Sequence, residues 1–322
     1  MGTGERDREH VGSPGGGTRV IRVANAPVSF GVFELTVGKL PNLPGPDEIL
    51  DSVAGAGYEG IDLGPFGYLG HVDELAERLR SRGLGLAGGW VQMRFSEPDG
   101  LEEDLAVLDQ TLDVFSAVAD SAPEPPKPTL ADAGSPARVA NPGRGKDLPE
   151  IGLDASGWSR LADGVKRAVD RCRGRGLEPT FHHHACTYVE APHEVDRLLE
   201  LTDVGLCLDT GHLLLGGGDP VHAIGDWGDR INHLHVKDVR MEVLHKVIAD
   251  RAGMEAVWSR GTFCELGTGD VDIDGFLSLV KDRRFSGWLV VEQDRIPGPD
   301  EPTSDATAAQ ARNRKFLEAR GF

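Results

Sequence analysis

Nine of the eleven histidines lie between His182 and His245, a clustering that evenly scattered surface residues would not give. Their neighbours sharpen the pattern. His182-His183-His184 ends one short apolar segment, Leu208-Asp209-Thr210-Gly211-His212 ends the next, His233-Leu234-His235 ends a third, and Glu292 ends the last. Imidazoles and carboxylates brought to one opening suit a divalent ion such as Mn²⁺, Co²⁺, Zn²⁺ or Fe²⁺, and a mixed nitrogen and oxygen set does not select sharply among them. Taken singly, each of these residues reads as well as a strand-end polar group hydrogen-bonded at the mouth of a fold. Their shared position, each at the same end of its segment, is what carries the metal reading. His193, His222 and His245 have no such support and read as surface or helix residues.

Such groups meet only if their segments run side by side in one direction. From Arg19 onward, short apolar segments alternate with amphipathic stretches, the pattern of repeated βα units. The expected strands are Val20–Asn25, Gly60–Leu63, Leu86–Val91, Thr129–Ala133, Glu178–His184, Gly205–Asp209, Ile231–Val236 and Gly287–Glu292. Between them, Trp158, Leu161, Val165, Val169 and Cys172 recur at three or four residues and predict a helix with one apolar stripe, and Leu75, Leu79 and Gly83 predict another with a glycine stop. Eight such units match a closed (β/α)8 TIM barrel, typically about 250 residues plus insertions, and no GxGxxG follows the first strand to favour a doubly wound sheet.

The expected fold is therefore α/β, a single barrel domain over residues 19–322 with two insertions, behind a tail of residues 1–18 whose charged and Gly-rich composition predicts disorder. The insertion at 121–152, rich in Pro, Ala and Gly, reads as a loop around a short strand; the one at 241–260, with Leu244, Val247, Ile248 and Met254, reads as helical. In this architecture the rim at the C-terminal ends of the strands gathers catalytic side chains. Strand alternation puts Val290 inside the barrel with Glu292, and His233 inside with His235.

The 52 acidic residues against 34 basic ones give the 322-residue chain a net charge of -18. That field repels phosphate backbones and anionic lipid, which leaves nucleic acid and membrane as poor partners. No apolar run approaches the roughly 18–20 residues of a membrane helix, and no secretory h-region follows the N-terminus. Cys172, Cys186, Cys207 and Cys264 are widely spaced with no CxxC pair, so reduced thiols and a cytoplasmic location are expected. The expected partner is a small polyol or keto-sugar, and a homodimer is compatible with a barrel of this size.

The segments Ala26-Pro27-Val28-Ser29-Phe30-Gly31-Val32, Gly57-Tyr58-Glu59-Gly60-Ile61-Asp62-Leu63-Gly64-Pro65, Phe181-His182-His183-His184, Cys207-Leu208-Asp209-Thr210-Gly211-His212, His233-Leu234-His235-Val236-Lys237-Asp238-Val239 and Gly287-Trp288-Leu289-Val290-Val291-Glu292-Gln293-Asp294 resemble the inosose dehydratase family. More broadly they are similar to the xylose isomerase-like sugar isomerase/epimerase barrels, over nearly the whole chain from about residue 20. The resemblance implies Asp209, His235 and Glu292 as metal ligands. The remaining ligand of such barrels is usually a Glu about six residues after a Gly; counting from Gly176 gives His182, with His184, of the same inward parity, as the competing choice. It further implies Mn²⁺ or Co²⁺ as cofactor, with Zn²⁺, Fe²⁺ or Mg²⁺ open.

The implied reaction is removal of water from 2-keto-myo-inositol by α-proton abstraction through a metal-stabilised enediolate. Epimerases of this kind use opposed carboxylates on the two faces of the substrate. An imidazole in place of one of them breaks that symmetry and fits elimination better. Glu190 and Glu292 are the candidate acid/base groups, Lys237 and Arg240 candidate oxyanion holders, and His212 and His233 candidate positioning groups. Glu34, Trp90 and His184 are candidates to line the sugar pocket, and Glu265, in the turn Glu265-Leu266-Gly267-Thr268-Gly269-Asp270, to touch substrate. Each has an ordinary packing or loop reading beside it. The alternatives are a metal-dependent sugar or inosose isomerase/epimerase, a metallonuclease on a related barrel, which the charge of -18 disfavours, and a sugar-binding protein without turnover.

Overall fold

The computed structural model describes residues 20–322, so the tail expected at 1–18 lies outside the described residues. Among the described residues eleven strands occur in chain order: β1 (Ile21–Asn25), β2 (Gly60–Ile61), β3 (Gly85–Leu86), β4 (Gly88–Met93), β5 (Lys127–Asp132), β6 (Thr180–His182), β7 (Gly205–Asp209), β8 (Ile231–Val236), β9 (Asp238–Val239), β10 (Phe263–Cys264) and β11 (Gly287–Val291). Nine form one parallel sheet in the order β3-β2-β1-β11-β8-β7-β6-β5-β4.

The two ends of that order, β3 and β4, are one stave interrupted at Ala87. Its N–H donates to the Ile61 carbonyl on one side (2.9 Å) and its carbonyl accepts from Lys127 N–H on the other (3.0 Å). The barrel thus closes through a single residue, giving the eight staves expected from the sequence. The chain is a single-domain (β/α)8 barrel.

The helices are α1 (Pro46–Gly55), α2 (Val72–Arg82), α3 (Pro98–Val118), α4 (Pro136–Val139), α5 (Ala155–Gly174), α6 (Pro192–Leu201), α7 (Thr210–Leu215), α8 (Pro220–Trp227), α9 (Met241–Ala249), α10 (Met254–Ser259), α11 (Ile273–Asp282) and α12 (Thr303–Glu318). In α5 the expected stripe buries Leu161, Val165, Val169 and Cys172, and the Asp154 carboxylate caps the start by accepting from Gly157 N–H. Gly83 ends α2 at φ 67°, a left-handed stop that favours glycine. The insertion at 241–260 is helical as expected, forming α9 and α10. The short antiparallel ribbon β9–β10, absent from the sequence reading, clips the ends of that insertion together.

Five strands end elsewhere than expected, at Ile61, Met93, Asp132, His182 and Val291, and the last two bear on the site. β6 stops at His182 because the chain turns there and His184 N–H donates to the Val189 carbonyl, and β11 stops at Val291, leaving Glu292 just beyond it. The four cysteines are buried and free. Among the described residues no helix is long and apolar enough to cross a membrane.

The lower barrel is filled by one large side chain among small ones. Trp288 is buried with Ala24, Ala26, Ala87 and Val290. Glycine makes the room: a Cβ at Gly60 would lie 2.6 Å from the Trp288 ring. We predict that Trp288→Ala lowers the unfolding free energy by about 3–5 kcal/mol. Urea denaturation should show this as a lower midpoint at unchanged slope, and an unchanged midpoint would show that the ring does not carry the lower core.

Candidate active site

Four side chains from neighbouring staves converge above Trp288. His182 ends β6, Asp209 ends β7, His235 lies in β8 and Glu292 follows β11; one ligand atom from each lies within 4.8 Å of all the others, and all four are buried. His182 Nε2 is 3.3 Å from Asp209 Oδ2, and His235 Nδ1 is 2.7 Å from Glu292 Oε2. Asp209 caps α7, with Oδ1 accepting from His212 N–H at 2.8 Å, while its Oδ2 faces His182 and Lys237. Nδ1 of His182 is buried without a hydrogen-bond partner.

Lys237 reaches into this cluster. Its Nζ is 3.2 Å from Asp209 Oδ2, 3.0 Å from Glu292 Oε2 and 3.0 Å from Asp294 Oδ1. Its backbone is pinned to α7, since Lys237 N–H donates to Thr210 Oγ1 and the Thr210 hydroxyl donates to the Lys237 carbonyl. Burial disfavours the ammonium, but Asp209, Asp294 and Glu292 overcome it and hold the Lys237 pKa well above its ordinary value.

The carboxylates divide. Burial works to raise Asp209, yet Lys237 and the imidazoles hold it well below the usual range, and His235 and Lys237 do the same for Glu292. Asp62, whose Oδ2 is 3.6 Å from His235 Nε2, is pushed by burial up to about 7, and Asp294 is raised by the same cause. Four buried carboxylates thus share two cationic groups, the Lys237 ammonium and the His235 imidazole, whose pKa Cys207 and Glu292 hold well above its ordinary value against burial; this is too little positive charge to keep all four ionised. The donor types, their burial and their mutual distances fit a divalent cation among His182, Asp209, His235 and Glu292.

Three of the four, His182, His235 and Glu292, line a cavity of about 330 Å³, with Asp209 buried behind them, and the lining also includes Glu34, Trp90, His184 and Lys237 from the sequence reading. Trp90 stands edge-on to His182 and His184, with ring centroids at 5.4 and 5.0 Å. His184 Nδ1 lies 2.6 Å from the Ala185 carbonyl, which can only accept; Nδ1 therefore carries the proton and Nε2 is left as the basic atom. His212 lies behind this surface, its ring 3.6 Å from that of His184 and its Nε2 3.2 Å from Asp294 Oδ2. His233 is buried below His235, as its parity predicts, and does not line the cavity.

Three candidates lie elsewhere. Glu190 is turned away by the tight 184–189 turn, where Cys186 takes φ 72°. Its carboxylate accepts from Cys186, Gly145 and Gly143 N–H, at 2.6, 2.7 and 3.3 Å, so both oxygens are committed to tying the 121–152 insertion to the β6 loop. Beside it the fully buried Arg138 of α4 pairs with Glu194 of α6. Arg240 is exposed at the start of α9. Glu265 pairs with Arg312 at 2.6 and 2.7 Å on the outer face, because the Gly-rich turn is gathered instead around Asp238, which accepts from Gly267 and Gly269 N–H. His193, His222 and His245 are exposed, as expected.

The sequence reading missed Asp62, Gln92, Asp132 and Asp294, all of which line the cavity. Asp62, Asp132 and Asp294 lie at or just past stave ends, the same positional signal that singled out the histidines. Asp132 Oδ1 accepts from Gly134 N–H at 2.7 Å and Tyr188 N–H at 3.3 Å.

The sequence matches the family described as Xylose isomerase-like TIM barrel over residues 50–319. It is 31% identical over 277 residues to the inosose dehydratase of Geobacillus kaustophilus (strain HTA426), covering 82% of this chain and 85% of that protein. Among solved structures, the probable 3-DHS dehydratase AsbF involved in petrobactin synthesis from Bacillus anthracis superposes with a TM-score of 0.68 at 16% identity, over 93% of this chain and 100% of that one. The IOLI protein with a binding zinc atom gives 0.67 at 14% identity, over 94% and 99%.

Two predictions follow from the geometry. Glu190→Gln removes a charge that three amides converge on and should cost on the order of 2 kcal/mol, seen as a lower urea midpoint and faster protease cleavage within 133–152; unchanged cleavage would mean the carboxylate does not anchor that loop. Burial also raises Asp132 to about 7, against an ordinary value of 3.8. The folded state therefore holds this proton more tightly than the unfolded chain, and the stability it contributes is full below about pH 4 and lost as the pH rises through 7, on the order of 4 kcal/mol in all. Asp132→Asn should escape that loss, so its stability relative to the parent rises between pH 4 and 7; urea melts across that range giving a constant difference would contradict the raised pKa.

Proposed function

This chain belongs to the xylose isomerase-like TIM barrel family, and we propose that within it the protein is a divalent-metal-dependent dehydratase acting on a cyclic polyol ketone of the 2-keto-myo-inositol kind, with Mn²⁺ or Co²⁺ as the preferred ion. The observation that carries the reading is the convergence of two imidazoles and two carboxylates from four neighbouring staves on the floor of the cavity. The inosose dehydratase relative supports the reaction class.

His182, Asp209, His235 and Glu292 would hold the cation, which when bound supplies Lewis-acid stabilisation of the charge that develops on the carbonyl oxygen. The chain's own groups do the proton work. His184, with its proton committed to the Ala185 carbonyl, offers Nε2 as the base for the α-proton. Lys237, kept as an ammonium by three carboxylates, donates from Nζ toward an oxygen of the substrate. Asp294 holds both Lys237 and His212 and so sets the direction of that donation. Trp90 offers a face to the C–H side of the ring.

One base beside one acid suffices for elimination, whereas epimerisation needs a proton delivered to the opposite face. Chelator treatment should abolish turnover and Mn²⁺ or Co²⁺ restore it, with the product an absorbing, water-free dione. His184→Asn should lower kcat roughly 10²–10⁴-fold. An epimer formed without loss of water, or full activity after chelation, would overturn the proposal.

A further inference from the structure

Above its polar floor the cavity changes character. Val28, Phe33 and Leu35 from the segment after β1, Val139 at the end of α4 and Trp258 in α10 form a collar at the opening that is apolar but for Glu34. Phe33 and Trp258 meet edge to face with centroids 5.4 Å apart. Leu35 and Val139 remain 45% and 43% exposed, large apolar groups turned to solvent. Both insertions build this collar, one through Val139 and the other through Trp258. They are fitted to each other closely: a Cβ at Gly253, the cap of α10, would lie 2.9 Å from the Val139 carbonyl.

A bare keto-polyol has no use for such a wall. It carries a hydroxyl on nearly every ring carbon, and hydroxyls pressed against Phe33 and Trp258 would lose water without gaining a partner. A single aromatic face serves the C–H side of such a ring, and Trp90 already supplies one beside the floor.

We propose that the substrate is a cyclic keto-polyol bearing an apolar alkyl or aryl substituent, the ketone end seated on the floor and the substituent held in the collar. This rests on the dehydratase reading and deepens it.

The test is a series of ethers of 2-keto-myo-inositol, from methyl to butyl, with a phenyl ether beside them, assayed on the metal-loaded protein for water loss and, separately, for binding by tryptophan fluorescence. Burial of about 0.8 kcal/mol per methylene corresponds to a roughly four-fold gain in kcat/KM and in affinity for each carbon added. Trp258→Ala should flatten that rise. Ethers no better than the bare ketone, or a slope untouched by Trp258→Ala, would overturn the proposal. So would light scattering that shows a dimer dissociating on Trp258→Ala, since the collar would then be a subunit contact. If the ethers bind with the expected gain and none loses water, the collar stands and the dehydratase reading fails.

Discussion

Four carboxylates buried around one ammonium group set the terms for the upper half of this barrel. Each charge taken out of water costs several kcal/mol unless a partner answers it, and Lys237 and the His235 imidazole together cannot answer Asp62, Asp209, Glu292 and Asp294. The conflict is visible in the opposite directions of their proton affinities: Asp209 and Glu292 stay ionised against Lys237 and the imidazoles, while Asp62 and Asp294 are driven toward the protonated form. A site built this way is tolerated only where a scaffold over-determines it. Parallel staves do so, because every one delivers its last side chain to the same rim, and the capping of α7 by Asp209 locks the most demanding of the four in place.

The architecture was legible because its signal is periodic. β7 and β8 fall where alternation puts them, and His233 and His235 share the barrel interior as parity requires. The candidate ligands were legible because histidine is rare enough for a cluster to stand out. The lone carboxylates Asp62, Asp132 and Asp294 were not, although the same rule, a polar residue where a stave ends, finds all three once it is applied to every stave and not only to those marked by histidine.

Loop residues were misread for a different reason. Glu190 follows His182 by eight residues, but where a loop residue points depends on the turn between, and the left-handed Cys186 sends it away from the cavity. Arg240 and Glu265 flank a ribbon, β9–β10, too short to leave a pattern in sequence. What Glu190 does instead has its own logic. A Pro-, Ala- and Gly-rich insertion loses much chain entropy when ordered, and the buried Arg138–Glu194 pair together with the amides gathered on Glu190 fasten it over the mouth.

The tryptophan that fills the base of the barrel makes the chamber a blind well. On the proposed function, ion, ketone, departing water and product would all pass this upper opening, which would impose an order of traffic: an ion held at the floor would have to settle first, and a molecule lodged above it would become the stopper that keeps it from escaping.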